Sequence, residues 1–398
     1  MSLKDSLQKV LDAERLSPEE GHELYTQAEL PLLGMLAGEV RSRFHSDGIV
    51  TYIIDRNINP TNVCVTDCGF CAFYRRPGDP ESYVLAREEI YKKIDELMEQ
   101  GGIQVLMQGG HHPTLKTEWF EELFRDLKER YPDLWLHAMS PPEIVHLSHL
   151  DKIPVREVLQ RLKVAGMDSI PGGGAEILVE RVRKIIAPKK ATTDEWLDVM
   201  RQASAVGMRG SATMMFGSVE SARERIEHMD RLRALQDETE KNDGRGFFTS
   251  FIPWTFQPDH TPMAEEWARH NQKVTRAEYL RTLAISRIYL DNFQNVQTSW
   301  VTQGIKTCQV GLSMGANDVG SMMLEENVVS SAGCDNMTTI ADVERHIRDA
   351  GFLPMRRKMN FDLLTLDNQP TTRAQLAAEG VIAAEALSAH AATHKETH

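Results

Sequence analysis

Eight short runs rich in β-branched or aromatic residues, each followed by an amphipathic stretch or a turn, recur between residues 50 and 320, and this alternation restricts the fold more than any other feature. The runs are TYIIDRN (51–57), IQVLMQ (103–108), LWLHAM (134–139), DSIPG (168–172), SATMMF (211–216), FFTSFIP (247–253), NVQTSW (295–300) and a weaker ANDVG (316–320). Helix-period segments such as AREEIYKKIDELMEQ (86–100), TEWFEELFRDLKERY (117–131) and RAEYLRTLAISRIYLD (276–291) fill the gaps. Strands that alternate with helices pair in parallel through crossovers, and eight such units close the sheet on itself. The expected fold class is therefore α/β, a (β/α)8 TIM-type barrel over residues 49–355. An N-terminal helical cap (1–48) precedes it, with Ser17 capping a helix that starts at Pro18. A C-terminal extension (356–398) follows, its Ala-rich part from about residue 376 read as a peripheral helix. An open doubly wound sheet is the alternative, but the glycine fingerprint of a dinucleotide-binding βαβ unit is missing.

Charge and cysteine usage narrow the function. The 398-residue chain carries a net charge of −13, and a phosphate-backbone partner needs clustered Lys and Arg, so no nucleic acid is expected. No run approaches the roughly 18 apolar residues of a membrane span, and the N-terminus lacks an apolar signal core, so a cytoplasmic protein is expected. Five cysteines, an odd number in a long chain, argue against a disulfide framework.

In a parallel barrel, reactive groups come from the C-terminal ends of the strands. Three of the five cysteines, Cys64, Cys68 and Cys71, follow the first run directly, in NPTNVCVTDCGFCAFYRRPGDPE. Asn, Pro, Asp and Gly around them favour a loop over a helix. Three readings fit: buried structural thiols, a zinc site completed by Cys308 or Cys334, or an iron–sulfur cluster with three thiolate ligands and one open iron. The other strand ends also collect glycines and polar residues, in Gln108-Gly109-Gly110-His111, Ser140-Pro141-Pro142-Glu143, Gly172-Gly173-Gly174-Ala175-Glu176, Trp254-Thr255 and Asn317-Asp318.

The spacing Cys64-x3-Cys68-x2-Cys71, with Phe70 before the third cysteine, resembles the signature of the radical S-adenosylmethionine superfamily. NVCVTDCGFCAFYR, HAMSPPEI, LKVAGMDSIPGGGAEIL, IPWTFQP, SWVTQG and GANDVGSMMLEENVV are together similar to the family of cyclic dehypoxanthine futalosine synthases of menaquinone biosynthesis, over about residues 50–355. Aminofutalosine synthase and the deazaflavin-cofactor synthases share the cysteine motif and are the alternatives. The resemblance implies a 4Fe-4S cluster on the three cysteines and S-adenosylmethionine on its open iron. It implies a 5′-deoxyadenosyl radical that takes hydrogen from the ribose 4′ carbon of dehypoxanthine futalosine, whose carbon radical then adds to the benzoate ring. An external one-electron donor such as flavodoxin or ferredoxin is implied as partner.

Carried over by position, Phe70 shields the cluster, and Gly109 and Gly110 offer backbone carbonyls to the methionine amino group. His111 stands where the superfamily has an acidic residue, a departure that leaves only the backbone role in place. Glu176 is placed to accept from the ribose hydroxyls, and Arg183, with Arg181 competing, to pair with the methionine carboxylate. Ser140 lines the site, or only caps the helix begun by SPPEIVHL with Glu143 at its third position. For the base that takes the ring proton the candidates are Asp318 and then His111. Trp254 and Trp300 sandwich the ring or belong to the core, and Arg75, beside Arg76, is the cation available to the benzoate. A cluster-bearing electron carrier and a zinc-stabilised binding module are the non-catalytic alternatives.

Overall fold

Strands of a parallel barrel are covered on both faces, outside by helices and inside by one another, so both alternating sets of side chains are buried. Strands β1 (Ile49–Ile53) and β6 (Arg209–Phe216) show this, with nearly every residue buried. The computed structural model describes residues 2–244 and 246–384. Strands β2 (Asp55–Ile58), β3 (Gln104–Met107), β4 (Trp135–Ala138), β5 (Ser169–Ile170), β6 and β7 (Phe248–Thr255) form one parallel sheet in that order. A second sheet runs β10 (Leu363–Leu364), β9 (Leu353–Arg357), β1, β8 (Asp318–Ser321).

The two sheets are joined at both ends. Only Ile54 separates β1 from β2, and the far edge of β7 continues through the bridges Phe251–Val296 and Gln297–Asp318 into β8, which pairs with β1. Parallel pairing therefore passes through all eight runs, as expected of a TIM-type barrel. The seventh run differs from expectation: NVQTSW is reduced to two bridges, and a helix starts at Trp300. Side-chain amides supply its missing ladder bonds, with Val296 N–H donating to Asn317 Oδ1 (3.0 Å) and Asn295 Nδ2 to the Thr249 carbonyl (2.9 Å).

On the outside the helix Pro18–Gln27 packs against the helices Ala222–Asp243 and Arg276–Tyr289, Leu30–Phe44 packs against the latter, and Leu3–Leu11 packs on both Pro18–Gln27 and Leu30–Phe44. Ser17 caps the helix Pro18–Gln27 through Glu20, as the sequence predicts. At the other terminus, β9 pairs in parallel with β1, and the boundary read at residue 355 falls inside it. A helix at Arg373–Ala378 follows. The Ala-rich segment read as a peripheral helix lies largely outside the described residues.

Candidate active site

Successive strand residues face opposite ways, so residues two apart share the barrel interior. Asp55 and Asn57 on β2, Gln104 and Leu106 on β3, Ser211 and Thr213 on β6, and Ser250, Ile252 and Trp254 on β7 all face one cavity of about 240 Å³. Most barrel interiors are filled by Val, Ile and Leu; here short and polar side chains leave space instead. Trp300, Arg357 from β9, and Gln108, Gly172 and Gly173 from two strand ends complete the part of the wall that bears on function.

The cysteine loop leaves β2 at Ile58 and is tied down by its own backbone. Cys64 N–H donates to the Arg75 carbonyl (2.9 Å), Val65 N–H to His111 (3.1 Å) and Gly69 N–H to Ile186 (2.8 Å). Asp67 adopts a left-handed φ of 50°, which turns the chain between the first two cysteines. All five thiols are free; Cys64, Cys68 and Cys308 are buried. Burial pushes the Cys68 thiol up to about 12, and Cys71 and Cys64 are near enough to add to the shift. Burial raises the Cys71 thiol as well, and thiols so held need a multivalent cation to become thiolate ligands. Among the described residues no three His, Cys, Asp or Glu side chains converge as a single ion requires. Three thiols without a fourth protein ligand among the described residues fit an iron–sulfur cluster with one open iron better than the closed four-ligand shell of structural zinc. Cys308 donates to Thr298 Oγ1 and Cys334 to the Val301 carbonyl, so neither serves as a fourth ligand here.

Gly109 and Gly110 lie against this loop. Gly110 N–H donates to the Thr61 carbonyl (2.9 Å), and a Cβ on Gly110 would stand 2.2 Å from the Val63 carbonyl oxygen, so only glycine fits. Gly109 N–H donates to Glu143 Oε1 (2.9 Å), while Glu143 Oε2 accepts from Ser140 N (2.7 Å) and Ser140 Oγ (2.5 Å). Ser140 thus caps the helix Pro141–Asp151, and the same carboxylate fastens that cap to the glycine strand end. Burial raises the Glu143 carboxyl above its usual range.

Glu176 follows the triple glycine in a left-handed conformation (φ 40°) and is buried. Its Oε1 accepts from Lys190 Nζ at 3.0 Å; its Oε2 lies 3.7 Å from Arg183, too far to bond, and has no hydrogen-bond partner. A buried carboxylate oxygen without a donor is costly, and a bound hydroxyl would satisfy it. Arg183 is a buried scaffold group: its guanidinium donates to the carbonyls of Gly174, Ala175 and Ala191. Arg181 pairs with Glu224 at the surface. Lys190, which the sequence reading missed, lies over the Phe70 ring at 5.0 Å. Burial opposes its charge, but Glu176 and Cys68 outweigh that and hold its ammonium above the usual value. Phe70, Lys190 and Glu176 thereby link the cysteine loop to the glycine-rich loop.

The structure separates the remaining candidates. Trp254 and Trp300 do face the cavity, and Trp300 Nε1 is fixed to the Ser321 carbonyl at 2.8 Å. Asp318 was expected at the C-terminal end of its strand; it is the first residue of β8, fully buried, with its carboxylate bound by Arg357. The weak run ANDVG gave no sharp boundary, and the strand starts two residues later. His111 faces the cysteine loop, accepting from or donating to Thr66 Oγ1 at 2.7 Å and stacking on His146 at 5.0 Å; burial holds it well below its usual value. Arg75 turns back on its own loop, donating to the carbonyls of Ala72, Phe73 and Tyr74 and to Glu81. Arg76 is exposed beside Asp67. Among the described residues that line the cavity, the cation is Arg357, and the sequence offered one sign of it: the run LPMRR, which straddles the end of the expected barrel.

A parallel barrel whose strand ends bear three thiols in one loop, a glycine cradle and a buried acceptor beside a polar cavity defines an enzyme that binds an iron–sulfur cluster and a nucleoside-type cofactor. Residues 58–232 match the radical SAM superfamily, and residues 244–369 the CofH/MqnC C-terminal region. A cyclic dehypoxanthine futalosine synthase of Halalkalibacterium halodurans is 43% identical over 364 residues, 92% of this chain and 95% of that one. Its counterpart from Streptomyces coelicolor is 41% identical over 377 residues, and the aminodeoxyfutalosine synthase of Thermus thermophilus is 40% identical, each covered to 92%. The chain belongs to the radical S-adenosylmethionine superfamily, whose enzymes use a 4Fe-4S cluster and S-adenosylmethionine. Among solved structures, methylornithine synthase (PylB) superposes with a TM-score of 0.67 at 19% identity, covering 88% of this chain and 97% of that one. The maturase HydG gives 0.70 at 14%, covering 100% and 81%. At such identities these two speak for the fold alone. Among the described residues no helix is long and apolar enough to cross a membrane.

Proposed function

We propose that this chain cyclises dehypoxanthine futalosine to cyclic dehypoxanthine futalosine in menaquinone biosynthesis, in the cytoplasm, with an electron donor of flavodoxin or ferredoxin type. The observation that carries the reading is the near full-length likeness to the Halalkalibacterium halodurans enzyme of that name. The geometry supports it, because the glycine-rich end of β5 that leads to Glu176 also lines the barrel cavity. A cofactor held there and a substrate held in the cavity would be neighbours.

When bound, the cluster and S-adenosylmethionine supply a carbon-centred radical able to take hydrogen from an unactivated C–H bond. The chain's own residues position and enclose. Cys64, Cys68 and Cys71 would hold the cluster, with Phe70 between the second and third and Lys190 over its ring. Gly109 and Gly110 present the backbone of their strand end, held in register by Glu143 and the cap at Ser140. Glu176 accepts from the cofactor hydroxyls through its unpartnered oxygen, and Arg183 keeps its loop in shape. In the cavity, Trp254 and Trp300 offer flat apolar surfaces to an aromatic ring, and Arg357 offers a cation to its carboxylate. Holding the ribose carbon against the ring is most of the catalytic task, since a fixed near-attack geometry turns a reactive radical toward one product.

A second reading has one specific observation in its favour. The aminodeoxyfutalosine synthase relative is 40% identical, nearly as similar as the cyclases. Anaerobic incubation of cluster-loaded protein with reductant, S-adenosylmethionine and each candidate substrate decides between them by mass analysis. Free 5′-deoxyadenosine with a cyclised nucleoside supports the cyclase; an adenosylated product from an enolpyruvyl benzoate would replace it with the second reading.

A further inference from the structure

We infer that Asp55 is the base that takes the ring proton when the new carbon–carbon bond is made. The inference deepens the cyclase reading and rests on it. Once the ribose carbon has bonded to the ring, that ring carbon is tetrahedral and still carries its hydrogen, and the unpaired electron is spread over the ring. Aromaticity returns when this C–H bond breaks: the proton passes to a carboxylate, and one electron leaves to a one-electron acceptor of the ferredoxin or flavodoxin class. The proton needs an acceptor inside the cavity, next to the ring.

Three carboxylates lie in or beside that cavity, and their partners separate them. Asp318 is bound through two hydrogen bonds by Arg357 (2.6 and 2.9 Å) and by Thr51 Oγ1 (2.5 Å). Glu326 spends both oxygens on the backbone N–H groups of Val328, Val329 and Ser330. Asp55 lines the cavity and has no ion-pair partner among the described residues. Its Oδ1 accepts from Ser321 Oγ and Met323 N, and its Oδ2 accepts from Gln104 Nε2 alone, at 3.1 Å. A carboxylate oxygen accepts two hydrogen bonds, so Oδ2 keeps a lone pair.

Gln104 supplies a second, independent sign. It is buried, it lines the same cavity, and its Oε1 has no hydrogen-bond donor. With Asp55 ionised the amide must point its NH2 at Oδ2, which strands Oε1. Once Oδ2 carries a proton, a half-turn of the amide lets Oε1 accept it. The pair therefore has a place for the proton that the resting state lacks.

Burial lifts the Asp55 carboxyl to about 6, against the hydrogen bonds from Ser321, Gln104 and Met323 and the more distant charge of Arg357. A group of this kind is ionised at neutral pH yet more basic than an exposed carboxylate, as a general base should be. The charged and titratable groups that face it are Arg357 and Asp318 from β9 and β8, His137 from β4, and Glu326. His137 is held neutral by burial, at about 3, and both its ring nitrogens meet serine hydroxyls, those of Ser169 and Ser211.

The test uses the cluster-loaded enzyme, its Asp55→Asn and Asp55→Glu variants, and dehypoxanthine futalosine. Substrate affinity is measured by equilibrium binding, together with the ratio of 5′-deoxyadenosine to cyclic product. Asp55→Asn is expected to bind substrate within about threefold of wild type and to keep forming 5′-deoxyadenosine, while cyclic product falls ~10²–10⁴-fold. Asp55→Glu should restore part of the product. The wild-type product rate should fall below about pH 6, and the residual rate of Asp55→Asn should not. An unchanged product ratio in Asp55→Asn overturns the inference, and so does a parallel loss of binding, 5′-deoxyadenosine and product, which marks a structural role. Should neither variant fold, a wild-type product rate flat from pH 5 to 8 overturns it. A wild type that makes no cyclic product at all is a different result, and removes the substrate reading itself.

Discussion

Arg357 on β9 grips Asp318 on β8 across the intervening strand β1, Nε to Oδ2 at 2.6 Å and Nη2 to Oδ1 at 2.9 Å, with both side chains buried. Thr51, on β1 between them, donates to the same carboxylate. The two-point grip orients the guanidinium while leaving part of it on the cavity wall. Removing one partner from a buried pair leaves a charge without compensation, which costs about 3–5 kcal/mol. Asp318→Asn should lower stability by that order in denaturant unfolding, while the folded fraction keeps its ratio of 5′-deoxyadenosine to product. A stable variant with a sharply raised ratio would return Asp318 to the role of base.

Loss of any one of Cys64, Cys68 or Cys71 to Ala should abolish iron and sulfide incorporation, since a three-thiolate site has no spare ligand. Cys308→Ser and Cys334→Ala should retain the cluster, because both thiols are bonded elsewhere. Iron loss in the Cys308 variant would mean a fully ligated cluster.

Gly110→Ala places a methyl group 2.2 Å from a backbone oxygen of the cysteine loop. The loop must shift, so the reconstituted variant should lose most of its cluster absorbance. Gly38→Ala, in the outer helix Leu30–Phe44, meets nothing within 4 Å. It should gain about 0.5–1 kcal/mol from helix propensity.

Glu176→Gln keeps the shape of the side chain but removes its charge. Binding of S-adenosylmethionine, followed by calorimetry, should weaken by about 1.5–3 kcal/mol, the range for a hydrogen bond to a charged group. Cluster content should stay unchanged, since Glu176 bonds Lys190 and no cysteine. Equal affinity in the variant would move the hydroxyl site elsewhere.

The buried histidines His45, His137 and His228 and the half-buried His111 are all pushed below the usual imidazole range by loss of solvent. In the unfolded chain they take up protons below about pH 6.5, and in the fold they do not. Stability should therefore fall as pH drops from 7 toward 5, each group approaching ~1.4 kcal/mol per pH unit. The raised carboxyls of Asp55 and Glu143 act the other way, contributing stability as pH falls through their folded values, and soften the slope. Urea unfolding at stepped pH checks this, and His137→Gln should flatten the dependence.

Much of this protein is written locally. Strand and helix periods identify the barrel because each element must bury a face of its own, and that pattern survives in a linear text. The cysteine triplet, the paired glycines before His111 and the triple glycine before Glu176 are likewise short-range. Each is confined to one loop whose conformation those residues set. What tertiary structure decided was which polar groups are already spent. Asp318 and Asp55 look alike as acidic residues near strand ends, but Asp318 is claimed by Arg357, 39 positions away, while Asp55, on the cavity wall, keeps a lone pair on Oδ2. Arg183 and Lys190 differ in the same way: one is consumed by loop carbonyls and the other held between Glu176 and Phe70. Whether a charge in a low-dielectric interior is a tool or a strut depends on its partners, and partners are chosen by the closing of the barrel, which brings distant strands side by side.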